Sequence, residues 1–202
     1  MYPVQYEADY VEERSRLSTF FRYFMVIPAA IVTMVYGIGA YFAVIAAWFA
    51  IVFTGRYPEG LYNFIAGFVR NSTRVSSYMY LVTDAYPPFN GQPDDAYPVR
   101  VHIGPPKAEY SRAKAFFRLI LAIPAMIIVY ALQILAGIMA FLGWFAILFT
   151  GKMPKSFQDL LDLSMRYMTR ANAYYFLITE EYPPINDPAQ IEQPPRTPAI
   201  SG

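Results

Sequence analysis

The sequence predicts an all-α membrane protein made of two tandem homologous units. Each unit is expected to hold an apolar helical hairpin, amphipathic interfacial helices and a short N-terminal extended segment. Hydrophobic residues make up 56% of the chain and charged residues only 15%, whereas about a quarter of a soluble protein is charged. Two runs of 32 residues, 23–54 and 119–150, contain no charged side chain. Residues 15–90, aligned without gaps on residues 111–186, are identical at 29 of 76 positions.

A repeated motif marks the two units. WFAIVFTGRYP, which begins at Trp48, returns as WFAILFTGKMP, which begins at Trp144. Each unit opens with YPV and closes with YPP. A fixed internal period is the signature of a duplicated architecture. The predicted organisation is a first membrane repeat at 1–90, a linker at 91–96, a second membrane repeat at 97–186 and a disordered Pro-rich tail at 187–202.

Each unit is expected to contain four parts in the same order. The first is a brief strand, because β-prone residues stand there beside Pro or Gly. The second is an interfacial helix that mixes charges with aromatics, and the third is the apolar run. The fourth is an amphipathic helix with apolar side chains on one face and Asn63, Arg70, Arg74 and Ser77 on another. The predicted ranges are 2–6 and 97–103 for the strands, 12–22 and 109–118 for the interfacial helices, and 59–82 and 155–178 for the amphipathic helices.

The length of the apolar run leaves two topologies open. A helix that crosses a bilayer perpendicularly uses about 20 residues, so a run of 32 is either a hairpin of two short helices or one long tilted helix. Because the two units have similar sequences, they should lie in similar environments. A hairpin achieves this, since the chain leaves each unit on the side of the membrane where it entered. We therefore expect hairpins, crossing or re-entrant, with turns near residues 37–41 and 133–137. One long helix per unit, with the units inverted, is the alternative.

Hairpins would bring the basic residues that flank each run to one surface. These residues are Arg22 and Arg56 in the first unit and Arg118 and Lys152 in the second. Because Lys and Arg are in excess on the cytoplasmic side of membrane proteins, we expect the polar segments and both termini to be cytoplasmic. Trp48 and Trp144 lie six residues before the end of each run, a position typical of an aromatic belt. The expected interfacial anchors are Trp48, Trp144, Arg56 and Lys152.

The motifs together resemble a known family. YPV, FFR with IP five residues on, WFAILFTG followed by a basic residue and a Pro two positions later, arginines four apart and a final YPP are similar to a family of small bacterial membrane proteins classified as a domain of unknown function. The resemblance covers residues 2–90 and 97–186. It implies residence in the bacterial cell membrane and a tandem layout, and it carries no chemistry. Where the family pattern often has IPH, this chain has IPA at 27–29 and 123–125.

The sequence contains little that could serve catalysis. His102 is the only histidine, and we interpret it as a surface residue. Asp and Glu are absent from the apolar runs, so no carboxylate relay is expected at membrane depth. The chain has no Cys, no P-loop, no G-x-S-x-G and no metal-ligand spacing. We therefore predict no enzyme, cofactor or metal, and the net charge of +1 favours no nucleic-acid partner.

Paired arginines are the candidate functional residues. Arg70 with Arg74, and Arg166 with Arg170, stand one helical turn apart, so both guanidinium groups of a pair could reach one anion. Lipid phosphate is the expected partner at that depth. The full predicted lipid-phosphate set is Arg70, Arg74, Arg166, Arg170, Arg22 and Arg118. Asp84 and Glu180 occupy matching positions and could instead form salt bridges with the arginines, or with Arg16 and Arg112.

The sequence therefore predicts a non-enzymatic integral membrane protein. We expect an oligomeric scaffold or accessory subunit that binds anionic lipid headgroups and shapes the membrane. Its expected partners are membrane lipids and either further copies of itself or another membrane protein. Because parallel repeats also build transport proteins, a small transporter or oligomeric channel is the alternative.

Overall fold

The computed structural model describes residues 2–185 and confirms a mostly helical protein with two tandem units. Each unit has a short strand, a long apolar helix and a second helix that returns along it. The elements are β1 (Val4–Ala8), α1 (Arg16–Thr54), α2 (Glu59–Met79), β2 (Val99–Ile103), α3 (Arg112–Phe116), α4 (Arg118–Thr150) and α5 (Lys155–Tyr175). The predicted tail at 187–202 lies outside the described residues.

The apolar run of each unit is one continuous helix, so the predicted hairpin is wrong. α1 has 39 residues and α4 has 33, and the turns expected at 37–41 and 133–137 lie inside them. The expected interfacial helix at 12–22 is also absent as a separate element, because its second half is the first part of α1. In the second unit the short α3 takes its place. The structure has one long helix per unit, as the alternative proposed; the sides of the membrane on which the units lie stay a prediction.

Two glycines that suggested a turn serve helix packing instead. A Cβ added at Gly37 would lie 3.2 Å from the Phe68 ring, and one added at Gly39 would lie 3.1 Å from the Phe64 ring. Both rings belong to α2, which packs along α1. The missing Cβ atoms therefore let α2 approach α1 closely, and the helix continues through both positions.

The Thr-Gly of the repeated motif is a helix C-cap. Gly55 and Gly151 have φ angles of 72° and 76°, a left-handed conformation that glycine adopts without steric cost. Their N–H groups donate to the carbonyls of Ile51 and Ile147 at 2.8 and 2.7 Å. The motif therefore recurs because both long helices end in the same way.

α2 and α5 are surrounded by protein along most of their length, with no exposed residue from 65 to 79 or from 160 to 175. In α2, Thr73, Arg74 and Val75 are all buried, although consecutive helical residues point in directions about 100° apart. In α5, the five consecutive residues from Tyr167 to Ala171 are buried. The predicted amphipathic helices therefore exist, at 59–79 and 155–175. Their expected exposed polar face is mostly absent, because these helices form the middle of the molecule: Asn63 is exposed, but Arg74 and Ser77 are buried.

The two strands pair with each other across the units. β1 and β2 are antiparallel, with Val4 opposite Ile103 and Ala8 opposite Val99. β1 packs on α5, and β2 packs on α2. Each unit thus places its strand on the other unit's second helix, and the two predicted repeats interlock.

The two long helices run in opposite directions. Near the start of α4, the Ala115 carbonyl accepts a hydrogen bond from the Trp48 indole at the end of α1, at 3.0 Å. At the other end, the Trp144 indole of α4 donates to the Thr19 carbonyl of α1 at 3.1 Å. Because each helix begins where the other ends, α1 and α4 are antiparallel.

The helices and the sheet form three layers. Among the described residues, the sheet contacts α2 and α5 but neither of the long helices. α2 and α5 touch each other, and α1 and α4 pack on them. The Thr73 and Thr169 hydroxyls, which occupy equivalent positions of the repeat, lie 3.1 Å apart. A pseudo-two-fold axis therefore passes between them and through the layers.

Candidate functional site

Arg22, one of the predicted lipid-binding residues, lies in the interior of the first unit. It is 1% exposed, and its Nη1 donates to the carbonyls of Tyr78 and Thr83, both at 2.7 Å. Its Nη2 forms an ion pair with Asp84. Arg22 therefore holds the chain where it leaves α2. Asp84 does form a salt bridge, but with Arg22 and not with the paired arginines or Arg16 that the sequence suggested.

Arg118 occupies the matching place in the second unit with different partners. It is 2% exposed, and its guanidinium carbon lies 4.0 Å from the centre of the Tyr174 ring. None of its side-chain nitrogens has a hydrogen-bond partner among the described residues. Glu180, the counterpart of Asp84, instead accepts a hydrogen bond from the Ser111 N–H at 2.6 Å and lies 3.7 Å from the Lys107 ammonium.

Arg74 and Arg170 hold the YPV segments. Both arginines are fully buried. Arg74 lies 5.6 Å from the ring of Tyr97, and Arg170 lies 5.4 Å from the ring of Tyr2, so each arginine contacts the YPV tyrosine of the other unit. Arg74 also donates to the Gln92 carbonyl at 2.9 Å. These arginines therefore join the two units.

Arg70 and Arg166, the other members of the predicted pairs, are half-buried. Arg70 donates to the carbonyls of Val101 and Gly91 at 3.3 and 3.4 Å, which places it under the β2 strand. Burial lowers the pKa of Arg70, and the nearby Arg74 lowers it further. Arg166 lies one turn after Asp162 on α5.

These positions correct the expected geometry of the arginine pairs. Four of the six predicted lipid-phosphate residues are at most 2% exposed, and five of the six have carbonyl, carboxylate or aromatic partners inside the protein. Sequence spacing correctly placed the pairs one turn apart. A headgroup at the surface cannot reach the fully buried guanidinium groups of Arg74 and Arg170, whereas Arg70 and Arg166 are half-buried.

A buried polar cluster escaped the sequence analysis. Arg14 donates to the Val82 carbonyl at 2.8 Å and to the Gln158 side-chain oxygen at 3.2 Å. The Gln158 amide donates to Asp162 at 3.2 Å. Burial raises the pKa of Asp162 to about 7, although the Gln158 hydrogen bond and Arg166 oppose the shift. A difference between the two units could have indicated this cluster. The residues equivalent to Arg14, Gln158 and Asp162 in the other unit are Tyr110, Tyr62 and Ala66.

The predicted interfacial anchors lie at the ends of the long helices. Trp48 and Trp144 are half-buried and fasten the helix ends through the indole hydrogen bonds described above. Arg56 is exposed. Lys152 is 57% exposed and forms an ion pair with Glu12 at 2.9 Å. The prediction placed these residues correctly at the helix ends, and their contact with a membrane stays a prediction.

The most extensive unpartnered feature is the apolar surface, which we define as the exposed large hydrophobic side chains of α1 and α4. α1 buries one stripe, which includes Val26, Ala40 and Ala47, and exposes the remaining faces. Each helix is long and apolar enough to cross a membrane. The side chains that are most exposed are Leu17, Phe24, Met34 and Phe53 on α1 and Leu119, Tyr130 and Phe149 on α4.

Exposed basic side chains flank the apolar surface at both ends. Arg112 lies beside Gly55, where α1 ends, and Arg16 lies beside Gly151, where α4 ends. A cation there is favoured by the partial negative charge of a helix C-terminus. Arg16, Arg56 and Arg112 form no ion pair among the described residues. The candidate functional site is thus an apolar surface bordered by available positive charge.

A protein-family model, described as Domain of unknown function (DUF4389), matches residues 16–90 and 112–186. The chain belongs to this family. Each DUF4389 copy begins at the first residue of a helix, Arg16 or Arg112, and ends after a YPP sequence. The exchanged strands lie outside both matched ranges.

In structural terms, each DUF4389 copy is a long apolar helix, a returning helix and a loop fastened beside a buried arginine. The predicted tandem arrangement of a domain-of-unknown-function family is confirmed. No curated protein matches the chain, and no solved structure matches it.

Proposed function

We propose that this protein is a scaffold of the bacterial cell membrane whose two apolar helices lie along one leaflet, with the α2/α5 layer and the sheet above them. The observation that carries the proposal is the placement of the apolar surface. It occupies the layer farthest from the sheet and extends along both long helices. Such a surface is unfavourable in water and favourable in hydrocarbon.

The length of the apolar surface supports an orientation along the membrane. A run of 32 residues extends about 48 Å as a helix, whereas the hydrocarbon core is about 30 Å thick. A helix of that length would span the core without mismatch only at a tilt of about 50°, beyond the usual range of 0–40°. A helix that lies in the leaflet has no such mismatch.

The order of the layers also supports this orientation. If α1 and α4 crossed the bilayer, α2, α5 and the sheet would lie beside them at the same depth. The sheet carries an ion pair between Arg100 and Asp9 at 2.6 Å, and charged side chains in contact with hydrocarbon are costly. With the helices along one leaflet, the same sheet faces the aqueous side.

The repeat supports the proposal for a further reason. The pseudo-two-fold axis runs from the sheet to the apolar helices, so it would stand perpendicular to the membrane. Both units would then meet the same surroundings, as their matching sequences require. Hairpins were predicted because they give both units equal surroundings, whereas two antiparallel helices in one leaflet provide equal surroundings without a turn.

The exposed basic residues at the helix ends supply the attraction to anionic headgroups. Arg16 and Arg112 are related by the repeat and stand at opposite ends of the apolar surface, with Arg56 beside Arg112. Juxtamembrane basic residues contribute about 1 kcal/mol each near an anionic surface. In this proposal they take the role that the sequence analysis gave to the buried pairs.

Insertion into one leaflet would allow the scaffold to bend the membrane. Two long helices in one leaflet expand that leaflet relative to the other, which favours curvature, and further copies would add to the effect. The transporter or channel alternative stays a prediction.

Nitroxide depth measurements test the orientation. The chain has no Cys, so single cysteines at Leu17, Val35 and Phe53, all exposed along α1, can carry spin labels without background labelling. The protein is reconstituted in vesicles of phosphatidylcholine and phosphatidylglycerol, and co-flotation establishes membrane association. We expect the three labels to report similar depths within one leaflet.

Two outcomes would contradict the proposal. A label at Val35 near the bilayer centre, with the other two labels near opposite surfaces, would mean that α1 spans. Failure of the protein to float with vesicles would remove the membrane role altogether. Arg16→Gln combined with Arg112→Gln should weaken flotation with vesicles that contain phosphatidylglycerol and leave flotation with pure phosphatidylcholine unchanged.

A further inference from the structure

We infer that a polar cavity between α2, α4 and α5 binds the uncharged head of a glycerolipid, with an acyl chain in the apolar groove beside it. This inference rests on the membrane residence proposed above. It adds a specific ligand site that the apolar surface alone does not require.

The cavity has the composition of a site for a neutral hydrogen-bonding group. Its volume is about 210 Å³, which is enough for a small polar head group or several water molecules. Methionines, Val129 and Tyr80 supply part of the wall, and none of the described residues that line it is charged. Its polar lining consists of Ser72, Thr73, Ser76, Gln133, Thr169 and Asn172.

The chemistry of this lining selects among lipid heads. Hydroxyl and amide side chains offer both donors and acceptors, which suits the hydroxyl and ester groups of a glycerol backbone. A phosphate would lose its hydration without meeting a cation in the cavity, which is unfavourable. An uncharged diacylglycerol-type head therefore fits, whereas an anionic phospholipid head does not.

An apolar groove lies beside the cavity along α4 and α5. It is lined by α4 residues that include Leu119, Ile123 and Met126, and by Tyr175 of α5. Met126 stands three residues before Val129 of the cavity wall, and Tyr175 stands three residues after Asn172. Residues three apart are neighbours on a helix surface. The groove therefore begins about one helical turn from the cavity, which is close enough for a lipid head and its acyl chain to occupy both.

Gln133 is the residue that makes this site unusual. It is the most polar residue of the second apolar run and is exposed on α4 at the edge of the cavity. A polar side chain surrounded by hydrocarbon is unfavourable unless it finds a hydrogen-bond partner. The glycerol head of a lipid in the cavity would supply that partner.

The first unit has filled the equivalent space. There the counterpart of Gln133 is Gly37, and the Phe68 ring lies 3.2 Å from the position of an added Cβ. The same ring contacts Phe176, with centroids 5.5 Å apart. In the second unit, Ser164 replaces Phe68. Gln133 and Tyr80, the counterparts of the two positions that the Phe68 ring contacts, line the cavity, so the missing ring at position 164 is consistent with the open space.

Photocrosslinking tests the site. The full chain is reconstituted in phosphatidylcholine vesicles with a diacylglycerol whose acyl chain carries a diazirine, and the crosslinked peptides are mapped. A phosphatidylglycerol with the same chain is the parallel probe. We expect diacylglycerol to crosslink saturably to α4 between Leu119 and Tyr130 and to Tyr175, with competition by unlabelled diacylglycerol and at least tenfold less labelling by phosphatidylglycerol.

Variants drawn from the repeat provide the controls. Gln133→Gly with Ser164→Phe rebuilds the arrangement of the first unit and should abolish the competed labelling. Gln133→Leu keeps most of the side-chain volume and removes the hydrogen bond, so it tests the site even if the double variant does not fold. We expect it to lower the labelling about tenfold. Ile138→Phe adds a ring at an exposed α4 position outside the cavity and the groove and should leave the labelling unchanged.

The outcomes separate this inference from the proposed function. If the protein floats with vesicles but both probes label α1 and α4 evenly and without competition, the lipid contact is nonspecific and the inference is wrong. Stronger saturable labelling by phosphatidylglycerol would also overturn it, because the head would then be anionic. If the protein does not float, the failure belongs to the proposed function.

Discussion

The two units place an arginine at the same point and stabilise it in different ways. In the first unit, Arg22 has two carbonyl partners and an ion pair with Asp84. In the second unit, Arg118 lies over the Tyr174 ring, and Glu180 turns to Ser111 and Lys107. The constant feature is a buried cation where the second helix ends. The difference shows that the partners of that cation can change while the fold is kept.

Loss of the first unit's arginine should have the largest effect. Arg22→Met leaves Asp84 without its partner and removes two hydrogen bonds to carbonyls. Breaking a buried ion pair typically costs about 3–5 kcal/mol, so we expect the melting temperature in detergent to fall by roughly 10 °C. Thermal unfolding followed by circular dichroism measures this change.

Arg118→Met is the matched comparison and should cost less. Its contact with Tyr174 is a cation–π interaction, for which about 2 kcal/mol is typical in a buried setting. A loss as large as that of Arg22→Met would contradict the difference that we draw between the units.

Substitution of the acidic residue should also destabilise the protein more in the first unit than in the second, but the difference should be smaller than for the arginines. Asp84→Asn weakens the ion pair with buried Arg22 and should cost about 2 kcal/mol. Glu180→Gln affects a pairing with Lys107, which is 42% exposed and therefore screened by solvent, so its cost should stay below about 1 kcal/mol. Urea denaturation in the same detergent compares the two variants. Equal costs would count against the asymmetry.

A pH dependence of stability should appear at Asp162, a position where the two repeats differ. The pKa of Asp162 is raised to about 7, so its folded form favours the protonated acid. The stability it contributes is present below the unfolded pKa of about 4 and is lost as pH rises through about 7. Asp162→Asn should therefore melt like the wild type near pH 4 and at a higher temperature than the wild type at pH 8.

A matched variant distinguishes this effect from a general change in surface charge. Asp159→Asn removes a carboxylate that is 58% exposed and paired with Lys155, and we expect no comparable rise between pH 4 and pH 8. If both variants shift alike, the effect does not come from burial of Asp162.

Composition and the repeat sufficed to predict the helical class, the tandem units, the short strands and the amphipathic helices. The hairpin prediction was wrong because glycines such as Gly37 and Gly39 are equally typical of a turn and of a close contact between helices. Only the contacts with Phe64 and Phe68 of α2, which the sequence does not show, distinguish these two cases. The burial of Arg74 and Arg170 could not be predicted from the sequence for a similar reason. Their cover comes from the strand segment of the opposite unit, and local periodicity carries no information about such an exchange.

The most direct test of the account is the sidedness of the two unit starts. Glu13 and Glu109 occupy matching, exposed positions just before the long helices, and the chain has no native Cys. Glu13→Cys and Glu109→Cys, each reconstituted in sealed vesicles with uniform orientation, are labelled with a membrane-impermeant maleimide before and after lysis. If both long helices lie along one leaflet, the two cysteines give the same accessibility. One cysteine that is accessible only from outside, with the other accessible only after lysis, would mean that the helices span the membrane and that the central claim is wrong.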